Sequence, residues 1–373
     1  MKPVSGKKIF NALRDKNCII LAANVRIVEG VAAGIFRAAK DSDAAVLIEL
    51  AKSECNQRGG YTGLTPETFA RRLSDVNKEI GHDVWALHGD HIGIKEGTLE
   101  EMADTKELVA MQIASGYTSF AIDASHLFNF EGATVEEELA PNLKATIEMA
   151  RFIAENVRHS DFGLEVEVGE IGRKNSGGMV LTTPEEAVVF IRKLKEAGVN
   201  PDLLAIANGS THGNVYDGDG NLIPLVSIDI ELTKRIAKSL RDAGFGVKIA
   251  QHGITGTPLE LIREKFPKGD ILKGNVGTLF QNIVFGALQI HERELYDKMF
   301  AWVIENKPIP GKKPNEVFGK NGKFALKVFF DRIYAMSDEC KAAIETTAYE
   351  ETKKLIEAFN AKGTASIVRK TLS

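Results

Sequence analysis

Cysteine is scarce in this chain, which has three cysteines in 373 residues, at positions 18, 55 and 340. So few and so scattered, they exclude a disulfide framework and a Cys-x-x-Cys metal site. No apolar run reaches the roughly 18 residues that a membrane-spanning helix needs, and the first ten residues lack the apolar core of a signal peptide. We therefore expect a cytoplasmic protein with no membrane partner.

Long basic runs are also missing. Lysine and arginine together number 47 against 51 acidic residues, a formal net charge of −4. This balance gives no electrostatic support for a nucleic-acid partner or an anionic membrane surface. With 44% hydrophobic and 26% charged residues, the composition is that of an ordinary globular protein.

Eight short apolar runs alternate with longer segments of helical periodicity. The predicted strands are Cys18–Asn24, Ala45–Leu50, Asp83–His88, Ser119–Ala124, Gly163–Val168, Leu203–Asn208, Val247–Gln251 and Asp270–Lys273. The predicted helices are Glu29–Lys40, Pro66–Ile80, Leu99–Ser115, Val135–Val157, Pro184–Ala197, Asp229–Ala243, Pro258–Phe266 and Leu279–Lys298. Eight such units favour an α/β fold of the closed (β/α)8 TIM-barrel type; an open doubly wound sheet is the alternative.

The alternation also predicts the domain organisation. We expect residues 1–300 to form the (β/α)8 barrel catalytic domain. Residues 301–373 begin with a stretch rich in lysine, proline and glycine and become helical again from Asp338 to Ala361. We interpret them as a C-terminal helical extension packed on the barrel or on a neighbouring subunit.

Polar residues gather where the predicted strands end, which in such a barrel is the position of the active site. Five of the eight histidines lie there, namely His88, His91, His126, His212 and His252. Three neutral imidazoles with one open position are the ligand set of a catalytic zinc ion. We take His91, His212 and His252 as the ligands, because each stands beside a glycine or an acid. His88 and His126 are possible substitutes, or partners that orient a ligand.

Glycine-rich turns follow the last three predicted strands, at residues 212–213, 252–258 and 274–278. Glycine lets backbone N–H groups approach an anion in front of a helix N-terminus. Together with the hydroxyls of Thr255 and Thr278, the turns favour a phosphorylated substrate, the alternative being that glycine only closes a tight turn.

A metal, a phosphate site and a free acid together indicate proton transfer beside a metal-polarised carbonyl group. Asp90 adjoins His91 and is the candidate proton carrier; its alternative role is to orient a metal ligand. Metal-assisted phosphate hydrolysis would use similar residues, but it usually requires more carboxylates around a hard metal pair.

These motifs resemble those of the class II, metal-dependent ketose-bisphosphate aldolases, in particular the fructose-bisphosphate aldolase branch. They are HxDH at 88–91, IDASH at 122–126, an ExELG-like segment at 165–169, THG at 211–213, HGxTG at 252–256 and NVxT at 275–278. The resemblance implies a zinc-dependent lyase that reversibly cleaves fructose 1,6-bisphosphate to dihydroxyacetone phosphate and glyceraldehyde 3-phosphate, in glycolysis and gluconeogenesis. It also implies a homodimer or homotetramer.

The same resemblance assigns roles to individual residues. Zinc would be held by His91, His212 and His252, with Asp90 as the catalytic proton carrier. A second divalent metal position would involve Glu167 and Asp123. The implied substrate-binding residues are Asn24, Gly213, Gly253, Thr255, Asn275 and Thr278, with a monovalent cation beside the phosphate.

Three departures from the family pattern leave parts of the site open. Gly277 stands where the family usually has aspartate. Residues 173–178 contain no carboxylate, so the general base is unassigned. The segment from Ala51 to Glu54 replaces a serine-glycine turn, which leaves the distal phosphate with several candidate partners: Lys52, Ser53, Arg58 and Arg173.

A second, local resemblance points elsewhere. Residues 46–49 and 56–66 are similar to the Z-type subunit of tagatose-bisphosphate aldolase, which shares the barrel but is regarded as a non-catalytic partner. The alternatives are therefore an aldolase for tagatose bisphosphate or another ketose phosphate, and a non-catalytic partner subunit.

Overall fold

Eight parallel strands close into a barrel, as predicted. The structure is a computed structural model that describes residues 1–157, 161–170, 174–175, 178–210, 215–216, 222–224 and 227–372. In chain order the barrel strands β1 to β8 are Ile20–Asn24, Val46–Ala51, Trp85–Gly93, Ser119–Asp123, Gly163–Glu167, Leu203–Ala205, Lys248–Gln251 and Ile271–Val276. Each pairs in parallel with its sequence neighbours, and β8 pairs with β1. The (β/α)8 architecture is therefore confirmed, and the open sheet is excluded.

Helices alternate with these strands and cover the outside of the barrel. They are Val31–Asp41, Pro66–Ile80, Leu99–Ala114, Val135–Asn156, Pro184–Glu196, Ile230–Asp242, Leu259–Lys265 and Thr278–His291. Thr65 and Thr183 each cap the following helix in a capping box with proline in the first turn, a combination that fixes a helix start. Short two-residue strands also pair in antiparallel fashion, Lys174–Asn175 with Gly178–Met179 and Val215–Tyr216 with Leu222–Ile223.

Some predicted boundaries are wrong. The predicted helix Leu279–Lys298 is two helices, Thr278–His291 and Arg293–Asn306, because Glu292 leaves the helical conformation at φ −128° and ψ 49°. Its carboxylate accepts a hydrogen bond from the Ser337 backbone N–H at 2.7 Å. Strand β8 runs to Val276, three residues beyond the predicted end.

The C-terminal residues are helical and lie against the barrel's helical layer. The helices are Pro314–Asn321, Ala325–Val328, Phe330–Tyr334, Asp338–Ala358 and Thr364–Leu372, with a 3₁₀ turn at Gly322–Phe324. Asp338–Ala358 packs on Val31–Asp41 so closely that a Cβ added at Gly34 would lie 2.5 Å from the carbonyl oxygen of Glu345. The division of the chain at residue 300 and any contact with a neighbouring subunit stay predictions.

An N-terminal helix that the sequence pattern did not reveal, Gly6–Leu13, closes the amino end of the barrel. Ile9, Phe10 and Leu13 are fully buried among apolar side chains of the barrel interior such as Ala22 and Leu47. This lower layer is the ordinary filling of such a barrel. Polar side chains therefore collect in the upper interior, toward the carboxyl ends of the strands.

Candidate active site

The register of the barrel explains which polar side chains meet. Asn24 is paired with Glu49 and Glu49 with His88 across β1, β2 and β3. Because side chains alternate between the two faces of a strand, paired residues point to the same side. Asn24, Glu49 and His88, which lie above the apolar residues that fill the lower barrel, therefore all point toward the axis of the barrel.

A local irregularity aims His91 at this axis. The β3–β4 register shifts between Gly89 and Ile92, and His91 has φ 36°, a conformation that is costly for a non-glycine residue and that clusters at functional sites. Its Nδ1 lies 3.2 Å from Asp123 Oδ2 and 3.1 Å from Glu167 Oε2. Burial opposes protonation of the ring, but the charges of Asp90 and Glu167 and the hydrogen bonds outweigh it and raise the pKa of His91.

His252 lies beside His91, with ring centroids 4.4 Å apart. Its Nε2 lies 2.8 Å from Glu165 Oε1, so this carboxylate fixes the ring. Candidate ligand atoms of His91, His252 and Asp90 lie within 4.8 Å of one another. Two imidazoles and a carboxylate are donors that zinc accepts, so these residues fit the implied metal. The third predicted ligand, His212, lies outside the described residues.

Asp123 and Glu167 form a second group with His91 in which candidate ligand atoms also lie within 4.8 Å. Burial and the neighbouring Asp123 charge raise the pKa of Glu167 to about 7. Asp123 differs, because hydrogen bonds from His91 and Ser125 overcome burial and lower its pKa. A second cation bound here would neutralise the charge of these carboxylates. That Asp123 and Glu167 form a metal position stays a prediction.

Asp90 is buried at the centre of the site. Asn275 donates from Nδ2 to Asp90 Oδ1 at 3.2 Å, and Lys273 Nζ lies 3.5 Å from the same oxygen. Burial opposes ionisation of Asp90, but the electrostatic interactions with His91 and Lys273, and with the nearby His252 ring, outweigh it and lower its pKa. Asp90 is thus an ionised carboxylate, close enough to both histidines to serve either as a proton carrier or as a ligand.

A small cavity of about 80 Å³ is lined by Asp90, His91 and His252, the candidate metal-binding group. Five predicted substrate-binding residues line it, namely Asn24, Gly253, Thr255, Asn275 and Thr278. Gly253 has φ 68°, which lets the backbone turn tightly toward the cavity. The helix Thr278–His291 begins at this wall, and a helix N-terminus favours an anion. Gly213 lies outside the described residues.

A larger cavity of about 560 Å³ adjoins the first, and the two share Arg26, Ala51, Glu54 and His91 as lining residues. Its basic side chains are Arg26, Lys52, Lys95 and Lys323, the last from the 3₁₀ turn of the C-terminal region. The predicted phosphate partners Lys52 and Ser53 line it. Arg58 is instead exposed and paired with Asp104 at 3.0 Å, and Arg173 lies outside the described residues.

Glu54 organises the wall between the two cavities. Its carboxylate accepts hydrogen bonds from Asn24 Nδ2, from Arg26 Nε at 2.8 Å and from the Tyr61 hydroxyl at 2.6 Å. A Cβ added at Gly277 would lie 3.1 Å from Asn24 Cβ and 3.4 Å from Arg26 Nη2. Glu54 therefore contacts the same two side chains that a residue at position 277 would crowd.

The two alternative histidines have other partners than the His91–His252 pair. His88 is buried below the site, with Nδ1 2.7 Å from Ser119 Oγ and Nε2 3.0 Å from Lys273 Nζ. His126 lines the larger cavity, with its Nε2 3.4 Å from Glu170 Oε1. Candidate ligand atoms of His88, Glu49 and Asp90 also lie within 4.8 Å of one another, but both ring nitrogens of His88 are already in contact with Ser119 and Lys273.

Sequence reasoning missed Lys273, Glu49 and Arg26. Lys273 and Glu49 are fully buried in the barrel interior. A charged residue inside an apolar strand was the available signal, because barrel interiors are normally filled by branched apolar side chains.

Within the part of the chain that the structure describes, none of the helices combines the length and the apolar character that crossing a membrane requires. The family model described as Fructose-bisphosphate aldolase class-II matches residues 4–364.

Curated relatives include the fructose-bisphosphate aldolase of Streptococcus pneumoniae serotype 4, which is 29% identical over 281 residues, 74% of this chain and 80% of the relative. The probable fructose-bisphosphate aldolase of Bacillus subtilis is 26% identical over 297 residues, 78% of this chain and 86% of the relative.

Solved structures share the fold. Fructose-bisphosphate aldolase from Campylobacter jejuni aligns with a TM-score of 0.63 at 19% identity, covering 97% of both chains. The YdjI aldolase from Escherichia coli K12 aligns with a TM-score of 0.59 at 20% identity, covering 97% of this chain and 99% of that one. With the family model matching nearly the whole chain, this protein belongs to the class-II fructose-bisphosphate aldolase family.

Proposed function

We propose that this protein is a zinc-dependent aldolase that reversibly cleaves fructose 1,6-bisphosphate to dihydroxyacetone phosphate and glyceraldehyde 3-phosphate. One observation carries the proposal: His91 and His252 lie side by side with Asp90 at the mouth of the barrel, directly beside a cavity suited to a phosphate. A non-catalytic partner subunit has no need of this arrangement.

His91, His252 and His212 would hold the zinc ion. Bound there, zinc would act as a Lewis acid toward the ketose carbonyl and stabilise negative charge on its oxygen. Asp123 and Glu167 contact Nδ1 of His91, which would leave its Nε2 to bind the ion. A carboxylate behind a ligating histidine fixes the ring in this way in many metal sites.

Asp90 would take the proton from the hydroxyl of the carbon that becomes the aldehyde, and return it in the condensation direction. Its position supports this role, because it is ionised and both described contacts, with Asn275 and Lys273, are made by Oδ1. We expect Oδ2 to face the substrate. Asn275, which hydrogen-bonds to Asp90, and Asn24 would contact the dihydroxyacetone half.

The two cavities would receive the two ends of the substrate. The phosphate of the dihydroxyacetone half would lie against Gly253, Thr255 and Thr278, together with Gly213, in front of the helix Thr278–His291 and beside a monovalent cation. The other phosphate would enter the larger cavity, where Lys323 lies over the rings of Tyr61 and Phe324, 5.6 Å and 5.3 Å from their centroids. Burial and the neighbouring Arg26 charge lower the pKa of Lys323, and gathering two cations favours an anionic group.

The test combines metal analysis with a triose-phosphate release assay on fructose, tagatose and other ketose phosphates. We expect about one zinc per chain, activity that is lost on chelation and restored by zinc or cobalt, and preference for fructose 1,6-bisphosphate. His252→Ala and His212→Ala should lose both zinc and cleavage. The matched control, His291→Ala, removes a histidine that lies 3.5 Å from Glu339 outside the barrel and should change neither. A metal-free wild-type protein with full activity would refute the proposal.

A further inference from the structure

Lys273 is a fully buried lysine at the centre of the barrel. Its Nζ lies 2.7 Å from Glu165 Oε2, 3.1 Å from Glu49 Oε2 and 3.5 Å from Asp90 Oδ1. It also lies 3.0 Å from His88 Nε2. Burying an ammonium group is costly unless it is well compensated, and the apolar filling found elsewhere in the interior would hold the barrel together without it.

The three carboxylates around Lys273 share one property: each reaches the candidate active site. Glu165 contacts Lys273 through Oε2 and His252 through Oε1, at 2.8 Å. Glu49 contacts Lys273 through Oε2 and accepts a hydrogen bond from Asn275 through Oε1, also at 2.8 Å. The third, Asp90, is itself the proposed proton carrier.

We propose that Lys273 is a positioning residue of the aldolase site, holding His252, Asn275 and Asp90 in place through these three carboxylates. The inference rests on the proposed function for the roles of those three residues. Without the ammonium group, three buried carboxylates would face one another, and like-charge repulsion would drive them apart or force one to take up a proton.

Glu165, which contacts both Lys273 and His252, affects how His252 would bind the metal. With the carboxylate accepting a hydrogen bond from Nε2 of His252, the ring would carry its proton there and leave the lone pair of Nδ1 to bind the ion. Lys273 holds the other oxygen of the same carboxylate, so the ring orientation depends on it. Removing such an outer partner typically weakens metal affinity by about 10–100-fold.

The experiment is a double-mutant cycle read out by zinc affinity, measured by competition with a chromophoric chelator. Lys273→Met and Glu165→Gln should each raise the zinc dissociation constant by about 10-fold or more. The double variant should be little worse than the weaker-binding single variant, because both residues act on His252 by one route. Lys273→Met should also lower kcat more than it changes KM, through Asp90.

A matched control separates positioning from general stability. Asp202→Asn removes another buried carboxylate, which accepts a hydrogen bond from Leu164 N at 3.0 Å and pairs with Lys7 and Arg14 outside the site. This variant should lose thermal stability but keep wild-type zinc affinity.

Each outcome is decisive. Wild-type zinc affinity in Lys273→Met, or fully additive effects in the double variant, would overturn the inference. If Lys273→Met does not fold, Glu165→Gln alone decides, since it keeps the lysine and removes one negative charge; unchanged zinc affinity in that variant overturns the inference too. A wild-type protein that binds zinc but cleaves no ketose phosphate would instead refute the proposed function. The zinc affinities of the variants would still test the role of Lys273.

Discussion

A side chain at position 277 would contact Asn24 directly: a Cβ built on Gly277 lies 3.1 Å from the Cβ of Asn24. This separation is tighter than ordinary van der Waals contact, so Asn24 would have to move by a few tenths of an ångström. Asn24 lines the small cavity and donates a hydrogen bond from Nδ2 to Glu54. The glycine thus sets the position of a proposed substrate-binding residue.

We predict that Gly277→Ala lowers kcat/KM by about 10-fold or more, since small displacements at a reacting site are costly, with little loss of stability. Gly286→Ala is the control, because a Cβ there meets nothing within 4 Å and alanine is favoured within the helix Thr278–His291. The measurements are steady-state kinetics and thermal unfolding. Equal kinetics in the two variants would show that Asn24 is not positioned by this contact.

Asp90→Asn should lower kcat by about 10²- to 10⁴-fold, the usual contribution of a positioned acid or base, while the protein keeps its zinc. The amide preserves the shape of the side chain but cannot accept the proton. Asp242→Asn, which alters an exposed pair with Lys238, is the control. Metal analysis distinguishes the two possible roles: loss of zinc together with turnover would make Asp90 a ligand, and near-normal turnover would exclude both roles.

Lys323→Met should raise KM for fructose 1,6-bisphosphate by about 10-fold, equivalent to about 1.4 kcal/mol of lost binding, with little change in kcat. Condensation of dihydroxyacetone phosphate with an aldehyde that lacks a phosphate should be unaffected. Lys327→Met is the matched control, because that exposed lysine donates to the Arg58 carbonyl oxygen at 2.7 Å. A rise in KM for both types of aldehyde would argue against a phosphate contact.

The C-terminal helix provides a prediction about pH. Arg369 donates from Nε and Nη2 to the two oxygens of Asp83 and from Nη1 to Asp43, all at 2.7 Å. Its hydrogen bonds to Asp83 and Asp43 contribute to holding the pKa of each carboxyl below 3.8. Because these pKa values are depressed in the folded state, the added stability is present above 3.8 and is lost as the pH falls through the folded values.

Arg369→Met should therefore lower Tm at pH 7 by about 1–3 °C, the modest effect expected for partly exposed ion pairs. The difference from wild type should shrink as the pH falls below about 4. Arg71→Met, which breaks the exposed pair with Asp75, serves as the control and should change Tm less. A difference that persists undiminished in acid would mean that packing, not charge, anchors the helix.

The sequence by itself determined the alternation of strands and helices, and this alternation favoured the closed barrel over an open sheet. Those features depend on local periodicity and capping, as at Thr65 and Thr183, where the capping residues and the first turn of the helix lie within four residues. It also predicted that His91 and His252 would lie at one end of the barrel, because both follow strands whose carboxyl ends share that end.

Only the tertiary structure decided which side chains touch. The contacts of Lys273 with Glu165 and of Asn275 with Glu49 span 108 and 226 positions in the chain. They depend on the strand register, on the shift that turns His91 inward and on which face of each strand points to the axis. A one-residue change in register would reverse that face, so a local pattern could mark Lys273 and Glu49 as unusual charged residues in apolar strands but could not show that they meet.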